Sequence, residues 1–355
     1  MEKIKSIKEH FRDSANTNKD VVGWMCTYTP EELIYSAGFT PFRIYGTKEY
    51  SKAEGFFPIN FCPYLKSIWE NLLAGETDFK GIVFTNSCDG MRRLFDTVNK
   101  YSSLPTFMLD IPKNKNTDAI DYFKYNLKKM ASFLDSIGGS QVTTKRLQES
   151  IKVLNHKREN LKKLSNMYRN SIISIASYNE ILKISANSSP HVFVKELESY
   201  IKAVDKRKTK NRKPNILLIG NFINEDRLWK LFSGLETTIS YQDTCSANRY
   251  FEGLVETGSN PLGSIAKRYI NKPSCMRIAN LGDKLTEVKE NINIYGIDGI
   301  IYISLKFCDN TLYFYPLLKE ELKELGKPSL YLEIEYNNFS EGQVKTRIQA
   351  FLEMI

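Results

Sequence analysis

Apolar residues follow two spacings along this chain, and the alternation between them predicts its elements. Short unbroken runs, Val21-Val22-Gly23-Trp24-Met25, Gly81-Ile82-Val83-Phe84 and Thr106-Phe107-Met108-Leu109-Asp110, have the length and content of buried strands. Between them apolar positions recur every three or four residues, as in Ile68, Trp69, Leu72 and Leu73 or Met91, Leu94, Phe95 and Val98, which is one face of a helix. The stretch Thr29-Pro30-Glu31-Glu32-Leu33-Ile34 predicts a helix start. Thr29 serves there as N-cap, Pro30 takes the first helical position, and two acids meet the positive end of the peptide dipoles. Gly38 stops that helix and residues 40–45 read as the next strand. Ahead of all this, Ile4, Ile7 and Phe11 form a helical stripe that packs on the body.

The far end repeats the alternation. Asn215-Ile216-Leu217-Leu218-Ile219-Gly220, Thr237-Thr238-Ile239-Ser240-Tyr241, Gly299-Ile300-Ile301-Tyr302-Ile303 and residues 329–334 read as strands, with helices over 225–235, after Cys308, and over 343–354. The middle differs. Phe123, Leu127, Met130 and Leu134 form one stripe, broken at Gly138-Gly139; Leu147, Ile151, Leu154, Leu161 and Leu164 form a second, and a less regular region runs to Val204. This spacing suits a helical insert between two sheets better than a coiled coil. The expectation is an α/β chain of two doubly wound, Rossmann-like parallel-sheet domains, over 1–115 with its leading helix and 214–355, separated by a helical insert and basic linker over 116–213.

Composition adds limits. An apolar fraction of 42% and 12% aromatics over 355 residues is that of a globular protein able to bury large cores. Residues 1–19 are charged and amphipathic, unlike a signal peptide, and no apolar run approaches the ~18 residues of a membrane span. These features predict a cytoplasmic protein whose cysteines stay reduced. The net charge of +9 culminates in Lys206-Arg207-Lys208-Thr209-Lys210-Asn211-Arg212-Lys213, just before Pro214 and a strand. Without a nucleic-acid motif, that run reads as a solvated linker and no nucleic-acid partner is expected.

The six cysteines change the picture most. Cys26, Cys62, Cys88, Cys245, Cys275 and Cys308 all fall at predicted strand ends or helix starts, and none lies in the stripes of the insert. Buried cysteine is often only a small apolar residue, but strand ends are where open α/β sheets bind ligands. The absence of any Cys-x-x-Cys pair argues against zinc, and the three histidines give weak support to a cysteine–histidine nucleophile. Scattered single cysteines suit an iron–sulfur cluster. Pro63 opens a helix right after Cys62, whose first turn favours thiolate over thiol. Arg92, Arg93, Arg249 and Arg277 stand near these cysteines, either offsetting cluster charge or in surface pairs. Glu31 and Glu32 are proton donors or, better, helix-start acids; Asp89 and Asp309 are either helix-terminus acids or contacts behind a ligand.

Several of these stretches together resemble a known family. They are Gly23-Trp24-Met25-Cys26-Thr27-Tyr28-Thr29-Pro30-Glu31-Glu32-Leu33, Phe61-Cys62-Pro63, Asn86-Ser87-Cys88-Asp89-Gly90-Met91-Arg92-Arg93, Asp243-Thr244-Cys245 to Arg249-Tyr250-Phe251, Lys306-Phe307-Cys308-Asp309, and the tail Glu341-Gly342-Gln343 with Thr346-Arg347 and Phe351. In content and order they resemble the 2-hydroxyacyl-CoA dehydratase and benzoyl-CoA reductase subunits and the related double-cubane cluster proteins. Ala247 and Asn310 stand where the family usually has glycine and often proline. The resemblance implies a cluster on cysteine ligands: one [4Fe-4S] on three in a heterodimeric acyl-CoA dehydratase that works by a ketyl radical, or a double-cubane [8Fe-9S] on about three per cubane in a homodimer. Six cysteines, all in family-like motifs, favour the double cubane and a reductase of small molecules; a non-catalytic electron carrier is the third reading. The family draws low-potential electrons from a separate ATP-hydrolysing iron–sulfur reductase, and this chain has no phosphate-binding Gly-x-x-x-x-Gly-Lys-Ser/Thr loop. The simplest division of ligands by halves is Cys26, Cys62 and Cys88 against Cys245, Cys275 and Cys308.

Overall fold

The structure, a computed structural model, describes residues 6–15, 20–47, 49–75, 78–204, 214–278, 280–336 and 338–355. Ile4 and the basic run 206–213 lie outside the described residues.

After two short helices, α1 (Ile7–His10) and α2 (Arg12–Ala15), the first half runs β1 (Val21–Trp24), α3 (Glu31–Ser36), β2 (Thr40–Arg43), α4 (Pro63–Ala74), β3 (Phe79–Thr85), α5 (Asp89–Tyr101) and β4 (Thr106–Leu109). Its four strands are parallel in the order β2-β1-β3-β4. Four helices follow, α6 (Thr117–Ser136), α7 (Thr144–Arg169), α8 (Ile175–Ser185) and α9 (Pro190–Ala203). The second half runs β5 (Asn215–Gly220), α10 (Asp226–Ser233), β6 (Thr238–Asp243), α11 (Asn248–Phe251), α12 (Pro261–Asn271), α13 (Leu281–Tyr295), β7 (Gly299–Leu305), α14 (Asp309–Glu324), β8 (Ser329–Ile334) and α15 (Glu341–Leu352). Its sheet, β6-β5-β7-β8, is parallel and repeats the order of the first. Both are doubly wound α/β sheets, as the alternation predicted. Every residue of β7 is buried, because helices cover both faces of a parallel sheet.

The stripe of α7 is the buried face foreseen: Leu147, Ile151, Leu154, Leu161 and Leu164 are all inside. It packs mainly on α3 and α9 while α6 packs mainly on α12 and β4, and α3 and α12 touch both, so the two stripes face other elements more than each other, unlike a coiled coil. The less regular region resolves into α8 and α9. Among the described residues no helix is long and apolar enough to cross a membrane.

The start of α3 differs from expectation. Pro30 occupies the cap and Thr29 does not cap the helix; its hydroxyl is buried without a partner, while its N–H donates to Cys26 O at 2.9 Å. The tight turn after Cys26 sets the backbone here, and the helix begins one residue later. Cys275 also departs from its expected place, lying in the loop between α12 and α13 rather than at an element end.

Candidate functional site

In a doubly wound sheet the crevice opens beyond the carboxyl ends of the strands where the order reverses, here between β1 and β3 and between β5 and β7. Cys26 follows β1 and Cys88 follows β3; Asn221 and Phe222 follow β5, and Cys308 follows β7. The two sheets turn these ends toward each other. One cavity of about 120 Å³ lies between them, and all six cysteines line it. All six are free and partly buried. Among the described residues no group of three or more His, Cys, Asp or Glu side chains is gathered to hold a single metal ion, so the sulfurs wall a space rather than meet at a point.

Three of them share a setting. Cys62, Cys88 and Cys308 are the N-cap residues of α4, α5 and α14, and Cys88 Sγ accepts from Met91 N–H at 3.4 Å. Phe307, just before Cys308, takes φ of 61°, a left-handed backbone rare for a bulky side chain, which turns the chain from β7 into α14. These three also line a second, open cleft of about 550 Å³, walled by Phe57, Phe61 and Phe307 and sharing Arg277 and Asn310 with the cavity as lining residues. The thiolate expected at Cys62 does not follow. Burial pushes this thiol up, the sulfurs of Cys308 and Cys88 add to it, and the helix-terminal N–H groups offset only part. Burial likewise pushes Cys88 up to about 12.

The other set sits among buried cations. Cys245 is lowered to about 5, first by a hydrogen bond from the Cys275 thiol, which outweighs its burial, and then by Arg249, Arg43 and Lys272. Cys275, as the donor, is pushed up. Arg249 is held by Asp243, with Nε donating to Oδ1 at 2.6 Å and Nη2 to the carbonyl at 2.7 Å, and its Nη1 reaches Cys245 Sγ at 3.8 Å. Lys284 Nζ pairs with the same carboxylate at 2.8 Å. Arg43, stacked between Trp24 and Phe222, donates to Cys245 O at 2.7 Å. Lys272 Nζ donates to Thr27 Oγ1 at 2.9 Å and Arg249 O at 2.7 Å, and burial lowers it to about 7. Cys26 lines the cavity, is absent from the cleft, and is felt by both Cys88 and Lys272. The cleft thus gathers cysteines of both halves.

Of the four arginines singled out, Arg249 stands on a cysteine, Arg277 lines both spaces, and Arg92 and Arg93 are exposed, Arg93 pairing with Asp96 at 3.0 Å. Asp89 and Asp309 are exposed in the first turns of α5 and α14, where they meet the helix dipole at the cleft rim. Glu31 and Glu32 stand in the first turn of α3, as the helix-start reading has it, and neither lines the cavity. Both are buried, Glu31 pairing with Lys157 at 3.0 Å and Glu32 with Arg158 at 2.5 Å. Tyr250 and Tyr269 donate to them at 3.1 and 2.9 Å, tying α3 to α11 and α12. Burial works to raise Glu32, but Arg158 and Arg268 hold it below the usual carboxylate range.

Sequence reasoning missed Arg43, Lys272 and Lys284. Position at a strand's carboxyl end was an available signal for Arg43; nothing local marked Lys284. Three polar atoms in the cavity wall, Tyr28 Oη, Asn221 Oδ1 and Arg277 Nε, are buried without a hydrogen-bond partner, in an interior where such groups are nearly always paired.

Residues 26–355 match the family described as 2-hydroxyglutaryl-CoA dehydratase, D-component. The chain is 27% identical to the (R)-phenyllactyl-CoA dehydratase beta subunit of Clostridium sporogenes, over 96% of this chain and 92% of that one. It is 27% identical to the lactoyl-CoA dehydratase subunit beta of Anaerotignum propionicum, over 96% and 93%. It is 24% identical to one of the benzoyl-CoA reductase subunits of Thauera aromatica, over 95% and 90%. With nearly its whole length matched, from the first cavity cysteine to the last residue, this chain belongs to the 2-hydroxyglutaryl-CoA dehydratase D-component family.

Proposed function

We propose that the protein is an iron–sulfur reductase of small molecules, with a double-cubane [8Fe-9S] cluster on Cys26, Cys62, Cys88, Cys245, Cys275 and Cys308. Its electrons come from an ATP-hydrolysing iron–sulfur reductase acting in trans, and it works as a homodimer. The observation that carries this reading is that every cysteine of the chain lines one cavity. Thiolates are the donors such clusters need, and the unpaired Tyr28 and Asn221 atoms suit a polar group filling the space. When bound, the cluster supplies one-electron transfer at low potential. The chain's own residues hold it between two rigid sheets and exclude bulk water. Arg249, Arg43 and Lys272 offset the negative charge of the thiolates, and the cleft beside Cys62, Cys88 and Cys308 gives a small molecule its approach.

A second reading is one half of an acyl-CoA dehydratase, holding one [4Fe-4S] on Cys62, Cys88 and Cys308 and paired with a related chain. The clustering of those three at one cleft favours it, as do relatives named as dehydratase beta subunits. Iron and acid-labile sulfide per chain, measured on anaerobically purified protein with its EPR spectrum, separate the two. About eight irons and nine sulfides support the double cubane, and about four of each the dehydratase. Protein that holds no iron even after reconstitution sinks both.

A further inference from the structure

Three arginines line the cysteine cavity, and they are held differently: Arg43 is stacked between Trp24 and Phe222 and donates to Cys245 O. Arg249 is wholly buried and bonded at all three nitrogens, to Asp243 and Cys245. Arg277 lies half-buried where the cavity meets the cleft. Its Nε is enclosed without a partner, neither terminal nitrogen bonds a described residue, and no described carboxylate pairs with it. A cation at the inner end of a cleft that has no carboxylate partner among the described residues, and only the Cys88 sulfur beside it, is a place for an anion. The rest of the cleft says what kind. Its volume of about 550 Å³ suits a small molecule. Phe57 and Phe61 stack at 4.2 Å, and with Phe307 they offer a flat apolar wall. Exposed Asp89 and Asp309 at the rim disfavour a polyphosphate, while Asp96 is neutralised by Arg93.

We infer that the cleft binds a small monoanion, a carboxylate in the simplest case, with its oxygens on the terminal N–H groups of Arg277 and its apolar body against Phe57, Phe61 and Phe307. A guanidinium holds a carboxylate through two parallel hydrogen bonds, which sets orientation as well as affinity. Arg277 borders both spaces, so the bound group lies beside Cys88 and Cys308. That the bound molecule is the substrate rests on the reductase reading above; the anion site itself rests on the cleft.

The test is calorimetry under anaerobic conditions with 3-phenylpropanoate and its uncharged amide, 3-phenylpropanamide, on the protein as purified, with iron measured on the same samples. The carboxylate should bind roughly tenfold or more tightly than the amide. Arg277→Gln should remove that preference with iron content unchanged, and Arg277→Lys should keep part of it. Equal affinities in the unsubstituted protein, a preference that survives Arg277→Gln, or no binding of either probe overturns the inference. Loss of iron in both Arg277 variants also overturns it, by assigning the side chain to the cofactor. Carboxylate preference in protein that never holds iron keeps the anion site and removes the reductase reading, so the two failures are distinct.

Discussion

Cys88 and Cys245 are the same residue type on two walls of one cavity, and the structure gives them opposite proton affinities. Cys88 caps a helix at the open cleft, and burial raises it to about 12. Cys245 lies among Arg249, Arg43 and Lys272, accepts from Cys275, and falls to about 5. At Cys245 the hydrogen bond from Cys275 outweighs the burial and nearby cations add to it, whereas the single N–H at Cys88 does not offset the loss of water. The walls also differ in support. Behind the cation-rich wall, α12, which leads into Lys272, is tied to α3 and α7 through Tyr269, Glu32 and Arg158.

The contrast can be broken in several ways. The largest effect is expected from serine substitutions that compare the walls. On the double-cubane reading, Cys245→Ser or Cys275→Ser should reduce iron from about eight to about four per chain, and Cys88→Ser or Cys308→Ser should abolish turnover. Full iron in the Cys245 variant would falsify the role of the cation-rich wall in holding a cluster. Next comes Glu32→Gln, which leaves Arg158 buried without its carboxylate and should cost about 3 kcal/mol, read as a lower melting temperature. The pH dependence follows from its sign. Glu32 is held below its ordinary value, so its stabilisation is complete above the ordinary carboxylate range near pH ~4.3 and is lost as pH falls through the lower folded value. Melting curves of the unsubstituted protein should therefore fall more steeply with acid than those of Glu32→Gln; parallel curves would refute the assignment.

Smaller effects are expected in the metal-free protein. A brief iodoacetamide pulse at pH 7, read by mass spectrometry, should modify Cys245 before Cys62 and Cys88, because the thiolate is the nucleophile. The reverse order would break the contrast outright. Lys272→Met removes one of three cations and should slow Cys245 modification only a few-fold, with Arg249 and Arg43 still in place. A loss as large as that from Arg249→Met would show that Lys272 carries more of the charge than its geometry indicates.

Much of this was legible along the chain. The strand runs, the break at Gly138-Gly139, the buried stripe of α7 and the position of Cys62 as a helix cap all follow from local spacing. Ala247, where the family usually has glycine, needs no left-handed backbone, since its φ is −128°. Other features were illegible because their partners are distant. Lys157 and Arg158 look like solvated residues of an amphipathic helix until Glu31 and Glu32 are brought to them. Arg43 meets the carbonyl of Cys245 across the two halves. Thr29 misled because the capping rule is local, whereas a turn at the cavity sets the backbone before α3.

What the sequence determined by itself was the alternation of elements and the placing of cysteines in turns, since spacing, punctuation and side-chain type act within a few residues. What only the tertiary structure decided was which cysteines share a wall and which are polarised. Both depend on charges and surfaces carried from far along the chain, and Coulomb interactions follow distance in space, not position in sequence.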